Sequence, residues 1–372
     1  MELSSEDALR LNVMLANRPL AIRIHESSMT LYGLLETGEA SIRLNPMANP
    51  EKYLLAVRSF LSEKALGNPG GYPLYLQRWT RQGQMREQSL EQLLMLGDPT
   101  AVFAVVCAEG IGPEIARRAW WASQEPENAR RLLQTRSIAH SPLGTELARF
   151  LVEYLPFETE PEQMIHSVAM AVQPGPLDQE QRRALWAKAA RKTPYLVGFL
   201  LSAPDSLPAE SAPRPDHVAI SAALAGLREA GNPWAETLIA ASSSQGQAFL
   251  DTFLQVMVKP PNQDVVALAL DAVRAHLSRV RPEGDPDLDY PALVAEAAEY
   301  AALDRRACEC VDLMPGLRGQ IESLRILSGL GYGVLRPVLR DSTAIGSLMR
   351  KKLLPLTTPL GACIARLLRA TA

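Results

Sequence analysis

Cys308-Glu309-Cys310 sets two thiols two residues apart, a spacing from which a metal chelate or a sulfane-sulfur relay could be built. Thiolates bind soft metals and attack sulfur once their pKa is lowered. The preceding Leu303-Asp304-Arg305-Arg306-Ala307 predicts a helix, and helical positions two apart point about 200° away from each other. One thiol is therefore expected in the core and the other toward water, with Arg305 and Arg306 close enough to favour a thiolate on the exposed one. Cys308 and Cys310 are the candidate reactive thiols, and buried inert cysteine is the competing reading. Cys107 and Cys363 sit in apolar helical runs and read as small core residues.

Other chemical patterns fail on inspection. Asp285, Asp287, Asp289 and Glu296 match four ligand positions of an EF-hand loop, but the position that needs glycine is Tyr290, and Pro286 and Pro291 restrict the backbone. A solvated acidic loop leading into a helix at Pro291 is the expectation. Gly329, Gly331 and Gly333 imitate a dinucleotide loop without a preceding strand, which predicts a helix break instead. His25, His140, His166, His217 and His276 are scattered, none at metal-ligand spacing, and there is no Gly-x-Ser-x-Gly elbow. Trp120-Trp121 reads as the anchor of a helix seam, since neighbouring residues spread over two faces. No catalytic, cofactor-binding or metal-binding residue is assigned.

Residues 67–86 combine Gly/Pro kinks with aromatic and guanidinium side chains. Tyr72, Tyr75, Arg78, Trp79 and Arg81 are candidate interaction residues there, with the ingredients of a single-strand nucleic-acid or anion-binding loop. A connector whose rings pack against the following helices is the competing reading, because the acidic N-terminal body offers no supporting basic patch. The net charge of −3 hides an asymmetry: residues 317–372 hold nine basic side chains against Glu322 and Asp341, a local +7 that leaves −10 for the rest. Arg350, Lys351 and Lys352 are the densest part of this basic end, which could steer an acidic protein or a nucleic acid. Solvated basic residues on a terminal helix give the same count.

These residues must be positioned by a mostly helical scaffold. Ser4 and the apolar spacing from Leu9 to Leu15 predict a first helix ending before Pro19. Runs at 21–26, 29–34 and 40–44 predict a three-stranded antiparallel meander, and Asn49-Pro50-Glu51 opens a helix that Gly67 ends. The expected N-terminal module, 1–88, is thus α+β. From 89 to 372 short Ala/Leu-rich helices follow one another, cut by Pro or Gly near 110–113, 124–126, 141–142, 156–161, 174–178, 202–215, 231–233, 243–246, 259–263, 281–290, 315–317, 331–337 and 355–359. Gly97-Asp98-Pro99 and Gly231-Asn232-Pro233 share a Gly-Asx-Pro-x-Ala step 134 residues apart, about three repeats of HEAT or armadillo length. An α-solenoid is expected, with a possible bend at the proline-rich 202–215.

Composition sets the outer bounds. With 47% hydrophobic and 21% charged residues the chain can bury a large core, and 6% aromatics argues against a strand-rich fold. The acidic start lacks the basic residues and apolar run of a secretory signal, and no run reaches about 18 apolar residues, so a cytoplasmic chain with no membrane span is expected. Four sparse cysteines suit reduced thiols.

Leu3-Ser4-Ser5-Glu6-Asp7-Ala8-Leu9-Arg10-Leu11-Asn12 and Gly70-Gly71-Tyr72-Pro73-Leu74-Tyr75-Leu76-Gln77-Arg78-Trp79-Thr80-Arg81 resemble the sulfur reduction protein DsrS family. The likeness is firmest over about the first 90 residues and general beyond them. What the resemblance implies is an accessory protein of stored-sulfur oxidation, encoded beside a reverse-acting dissimilatory sulfite reductase, with no catalytic residues to carry over. Together the two readings lead to the expectation of a non-catalytic scaffold, without cofactor, acting on a protein partner of that pathway. A nucleic-acid-linked regulator using the basic end and a thiol-based sulfur carrier are the alternatives.

Overall fold

The computed structural model describes residues 3–46, 49–66, 87–339 and 344–368. It is mostly helical, with one three-stranded antiparallel sheet near the N-terminus. The chain divides into two units, Met1–Leu151 and Val152–Ala372.

In the first unit, α1 (Ser5–Ala16) starts where the Ser4 hydroxyl accepts the Asp7 backbone N–H at 3.1 Å. Strands β1 (Ala21–His25), β2 (Thr30–Leu35) and β3 (Gly38–Arg43) follow as a meander in the order β1-β2-β3, with Ile22 opposite Gly33 and Leu31 opposite Ile42. Alternation sends Ile22 and Leu31 to one face, where they bury against Leu11 and Met14 of α1 and against Tyr53, Val57 and Leu61 of α2 (Pro50–Leu66). Helices α3 (Glu87–Leu94), α4 (Pro99–Val106), α5 (Pro113–Ala122), α6 (Pro126–Leu133), α7 (Arg136–Ala139) and α8 (Pro142–Tyr154) continue the chain. The tryptophan pair divides as expected: Trp120 is buried edge-to-face on Phe150, and its indole N–H donates to Glu146 at 2.7 Å. Trp121 stacks under Arg23 and donates to Glu39 at 3.1 Å.

The second unit holds α9 (Pro161–Val172), α10 (Gln179–Ala189), α11 (Thr193–Ser202), α12 (His217–Glu229), α13 (Pro233–Ser242), α14 (Ser244–Val258) and α15 (Gln263–His276). It continues with α16 (Tyr290–Leu303), α17 (Arg305–Leu313), α18 (Arg318–Ser328), α19 (Tyr332–Leu339) and α20 (Gly346–Ala365). Helix α11 is apolar on every side and buried from Pro194 to Leu200, so it serves as a central rod rather than a surface helix. Gly198 brings α9 close, since a Cβ there would stand 2.6 Å from Val168 Cβ. Helix α11 packs on α9, α10, α14 and α15, and α14 also meets α20. Contacts therefore reach past the next helix in sequence, which differs from the nearest-neighbour stacking expected of a solenoid.

Both Gly-Asx-Pro-x-Ala steps form the expected cap. Asp98 accepts the N–H groups of Thr100 and Ala101, and Asn232 those of Trp234 and Ala235, while Gly97 and Gly231 take φ of +59° and +76°. The break foreseen at 331–337 falls at 329–331, with Pro337 inside α19, and the one foreseen at 355–359 is corrected, since Pro355 and Pro359 lie inside α20. Pro355 is exposed, so the carbonyl that loses its intrahelical donor faces water, while Leu353, Leu356 and Leu360 bury the opposite face. Among the described residues no helix is long and apolar enough to cross a membrane.

Candidate functional site

The second unit contains a polar cleft built on the Asn232 step. Asn232 sits just before α13, and while its side-chain oxygen caps that helix, its amide nitrogen donates to the Arg306 carbonyl at 2.9 Å and to the Glu309 carboxylate at 3.2 Å. Glu309 in turn accepts Arg305 Nε at 3.0 Å. One short side chain thus locks the start of α13 to α17, and the wall it forms borders a cleft of about 490 Å³. Trp234, Arg279, Tyr300, Arg305 and Arg306 line the remainder. Arg305 is 92% exposed, and Arg306 is exposed with no ion pair among the described residues.

Arg279, ion-paired with Glu236, also borders a second cleft of about 320 Å³. Here His276 stacks on Phe249 at 4.3 Å and stands 3.9 Å from Asp205, too far for a hydrogen bond. Burial pushes the His276 pKa down against the opposing pull of Asp205, so the ring is neutral at pH 7. Thr237, on the same wall, donates its hydroxyl to the Pro233 carbonyl at 2.7 Å. Among the described residues His276 is hydrogen-bonded to no hydroxyl or thiol, so the cleft presents groups for binding without a nucleophile and base in contact.

Beneath Tyr300 lies an ionic network that sequence reading missed. Arg281 and Arg325 are each 2% exposed. Glu296 accepts Arg281 Nη2 at 2.7 Å and Arg325 Nε at 3.0 Å, and Glu283 pairs with Arg325. Arg281 also donates to Ser328 and to the Arg325 carbonyl, and the Arg325 guanidinium stacks 3.7 Å from the Tyr300 ring centroid. Burial pushes the Glu296 and Glu283 carboxyls up, yet the two arginines hold Glu296 below the usual range, and a backbone hydrogen bond together with Arg325 and Arg281 does the same for Glu283. In the sequence Glu296 stands out only as an EF-hand position, and Arg325 is one of the nine basic side chains of residues 317–372. Their partners come from separate elements, so no local spacing marks them.

The remaining candidates fall as follows. Cys308 is half-buried with its thiol 3.5 Å from the Ala302 carbonyl, whereas Cys310 is buried and its thiol pushed up to about 12 by burial and by Glu309 and Asp304. The two side chains part as helix geometry requires. Cys363 is a buried core thiol, but Cys107 is exposed at the C-terminal end of α4, which corrects its placement in the core. The acidic loop carries no metal-ligand cluster among the described residues: Asp285 pairs with Arg274, Asp287 with Arg336, and Asp289 caps α16. Gly333 lets this loop lie against the break before α19, where a Cβ would stand 2.6 Å from the Leu288 carbonyl. The basic end is weaker than its residue count, because Arg325 is buried in the network and Arg336 is ion-paired. Arg350, Lys351 and Lys352 occupy the first turns of α20, Arg350 half-buried and the two lysines exposed. Tyr72, Tyr75, Arg78, Trp79 and Arg81 lie outside the described residues. The chain matches no protein-family model, no curated protein and no solved structure.

Proposed function

We propose that the protein is a non-catalytic, cytoplasmic accessory factor that docks an acidic segment of a partner protein in the oxidation of stored sulfur. The pathway comes from the resemblance of residues 3–12 and 70–81 to the DsrS family. The docking role is supported by one observation above others: the exposed Arg306, which has no ion pair among the described residues, stands on a cleft wall that Asn232 holds in place. A cation at the rim favours a carboxylate-bearing partner and speeds encounter. The occupied Thr237 hydroxyl and the buried, protonated Cys310 thiol favour binding over a thiol or hydrolytic reaction.

The test is affinity capture from the cytosol of a sulfur-oxidising host with wild-type protein and R306E, with and without nuclease. Sulfite reductase or sulfur-trafficking proteins recovered by the wild type regardless of nuclease, and lost with R306E, are the expected result. Partners lost on nuclease treatment, or retained by R306E, overturn the reading in favour of the nucleic-acid-linked or another interaction.

A further inference from the structure

We infer that a separate cleft, bordered by the first turns of α10 and α14, binds an oxyanion group, either as a free ion or as the head of a small phosphorylated or sulfated ligand. The cleft measures about 490 Å³, within the range of small-molecule sites, and is lined by Gln179, Arg182, Arg183, Ser206, Glu210 and Gln245 among others. It shares no residue with the Asn232 cleft, and the inference stands whether or not the docking reading does.

Arg182 carries the argument. It is half-buried, and one guanidinium nitrogen donates to the Ser206 carbonyl at 3.1 Å and to the Ser206 hydroxyl at 2.9 Å, which fixes its plane. Its Nε is buried with no acceptor, and among the described residues no carboxylate lies within ion-pair distance of it. Burial alone pushes its pKa down, with no opposing carboxylate. By contrast, Arg214, Arg274, Arg281 and Arg325 each face a carboxylate. A guanidinium taken partly out of water without a counter-charge costs free energy that a bound anion recovers.

The surroundings favour the same charge. Arg183, also without an ion pair among the described residues, adds a second guanidinium at the exposed rim. Gln245 is the second residue of α14, so the positive end of that helix, capped by the neutral Ser243 hydroxyl, borders the space, while Gln179 opens α10, whose end the Asp178 carboxylate already caps. Side-chain amides and the Ser206 hydroxyl supply neutral donors, which suits an oxyanion with several acceptor oxygens. Glu210 on the rim disfavours a polyanion and limits the ligand to one anionic group.

The experiment is titration calorimetry of the full chain at constant ionic strength in chloride, with inorganic phosphate and with glycerol 3-phosphate as probes. Wild type is compared with R183Q, whose exposed side chain makes no hydrogen bond or ion pair among the described residues, and with R182K, which keeps the charge but loses the fork. Circular dichroism and melting temperature verify the fold of each. The expected result is saturable binding by the wild type, weakened about tenfold or more in both variants, as loss of one charge-assisted contact implies. Tighter binding of the ester assigns a small phosphorylated ligand, and equal binding assigns the free ion. Absence of saturable binding with both probes, or affinity unchanged in R183Q and R182K, overturns the proposal.

Discussion

Asn232 holds Glu309 across two helices, its amide nitrogen 3.2 Å from the carboxylate while its oxygen caps α13. The residue was legible from sequence as a cap, but its second bond spans 77 positions and leaves no local pattern. Replacing it with alanine removes a cap and leaves the Arg306 carbonyl and Glu309 short of a donor. The expected loss for N232A is about 2–3 kcal/mol by urea denaturation. N232D keeps the cap but sets a second carboxylate against Glu309, so it should be less stable than the wild type at neutral pH. Equal stability of all three proteins would show that the bridge contributes nothing.

The buried arginines make the second unit sensitive to acid. Glu296 and Glu283 have folded-state carboxyls held below the free value, because Arg281 and Arg325, with a backbone hydrogen bond at Glu283, outweigh the cost of their burial. Their contribution is complete above about pH 4.3, the free glutamate value, and is lost as pH falls through the lowered folded values. E296Q leaves two dry guanidiniums sharing one carboxylate, with an expected cost of about 3–5 kcal/mol at neutral pH. Melting temperature followed from pH 7 to pH 3 should fall more steeply for the wild type than for E296Q. Parallel curves would remove Glu296 as the titrating group.

Thiol labelling separates the four cysteines. Native protein treated with a maleimide at pH 7.5 should label Cys107 first and Cys308 more slowly. Cys310 and Cys363 should label only on unfolding, since both are buried away from the reagent. Peptide mass spectrometry reads the order. Labelling of Cys310 at the rate of Cys107 would contradict its burial and reopen a thiol-based function.

The twin caps give an internal comparison. A Cβ at Gly97 would meet Ile24 Cδ1 at 2.9 Å, whereas one at Gly231 would meet nothing within 4 Å, and both have positive φ. G231A should cost about 1–2 kcal/mol, the backbone penalty alone. G97A adds overpacking of about 1–3 kcal/mol. If the two substitutions prove equally costly, Ile24 yields freely.

Legibility from sequence followed the range of the interaction. Ser4, the three strands and both Asx caps are decided by neighbours within a few residues, and each was found within a residue or two of its place. The same holds for the opposed directions of Cys308 and Cys310, which helix geometry fixes. The central burial of α11 was not foreseen, because an apolar run of eight residues looks alike in a stack and in a bundle. Pro355 and Pro359 misled for a related reason: the cost of each missing N–H is local, while the leucines that hold α20 together act through packing. The Arg281, Glu283, Glu296 and Arg325 network draws on residues up to 44 positions apart, and the clefts likewise join distant segments.

Heat acts on these paired charges differently from the way it acts on the leucine core. Hydration of free ions becomes less favourable as temperature rises, so the penalty for keeping Arg281 and Arg325 dry shrinks while apolar burial gains little more. The network is therefore a growing share of what holds the second unit together near its melting temperature. A substitution there will look milder at room temperature than on a hot day in the cell.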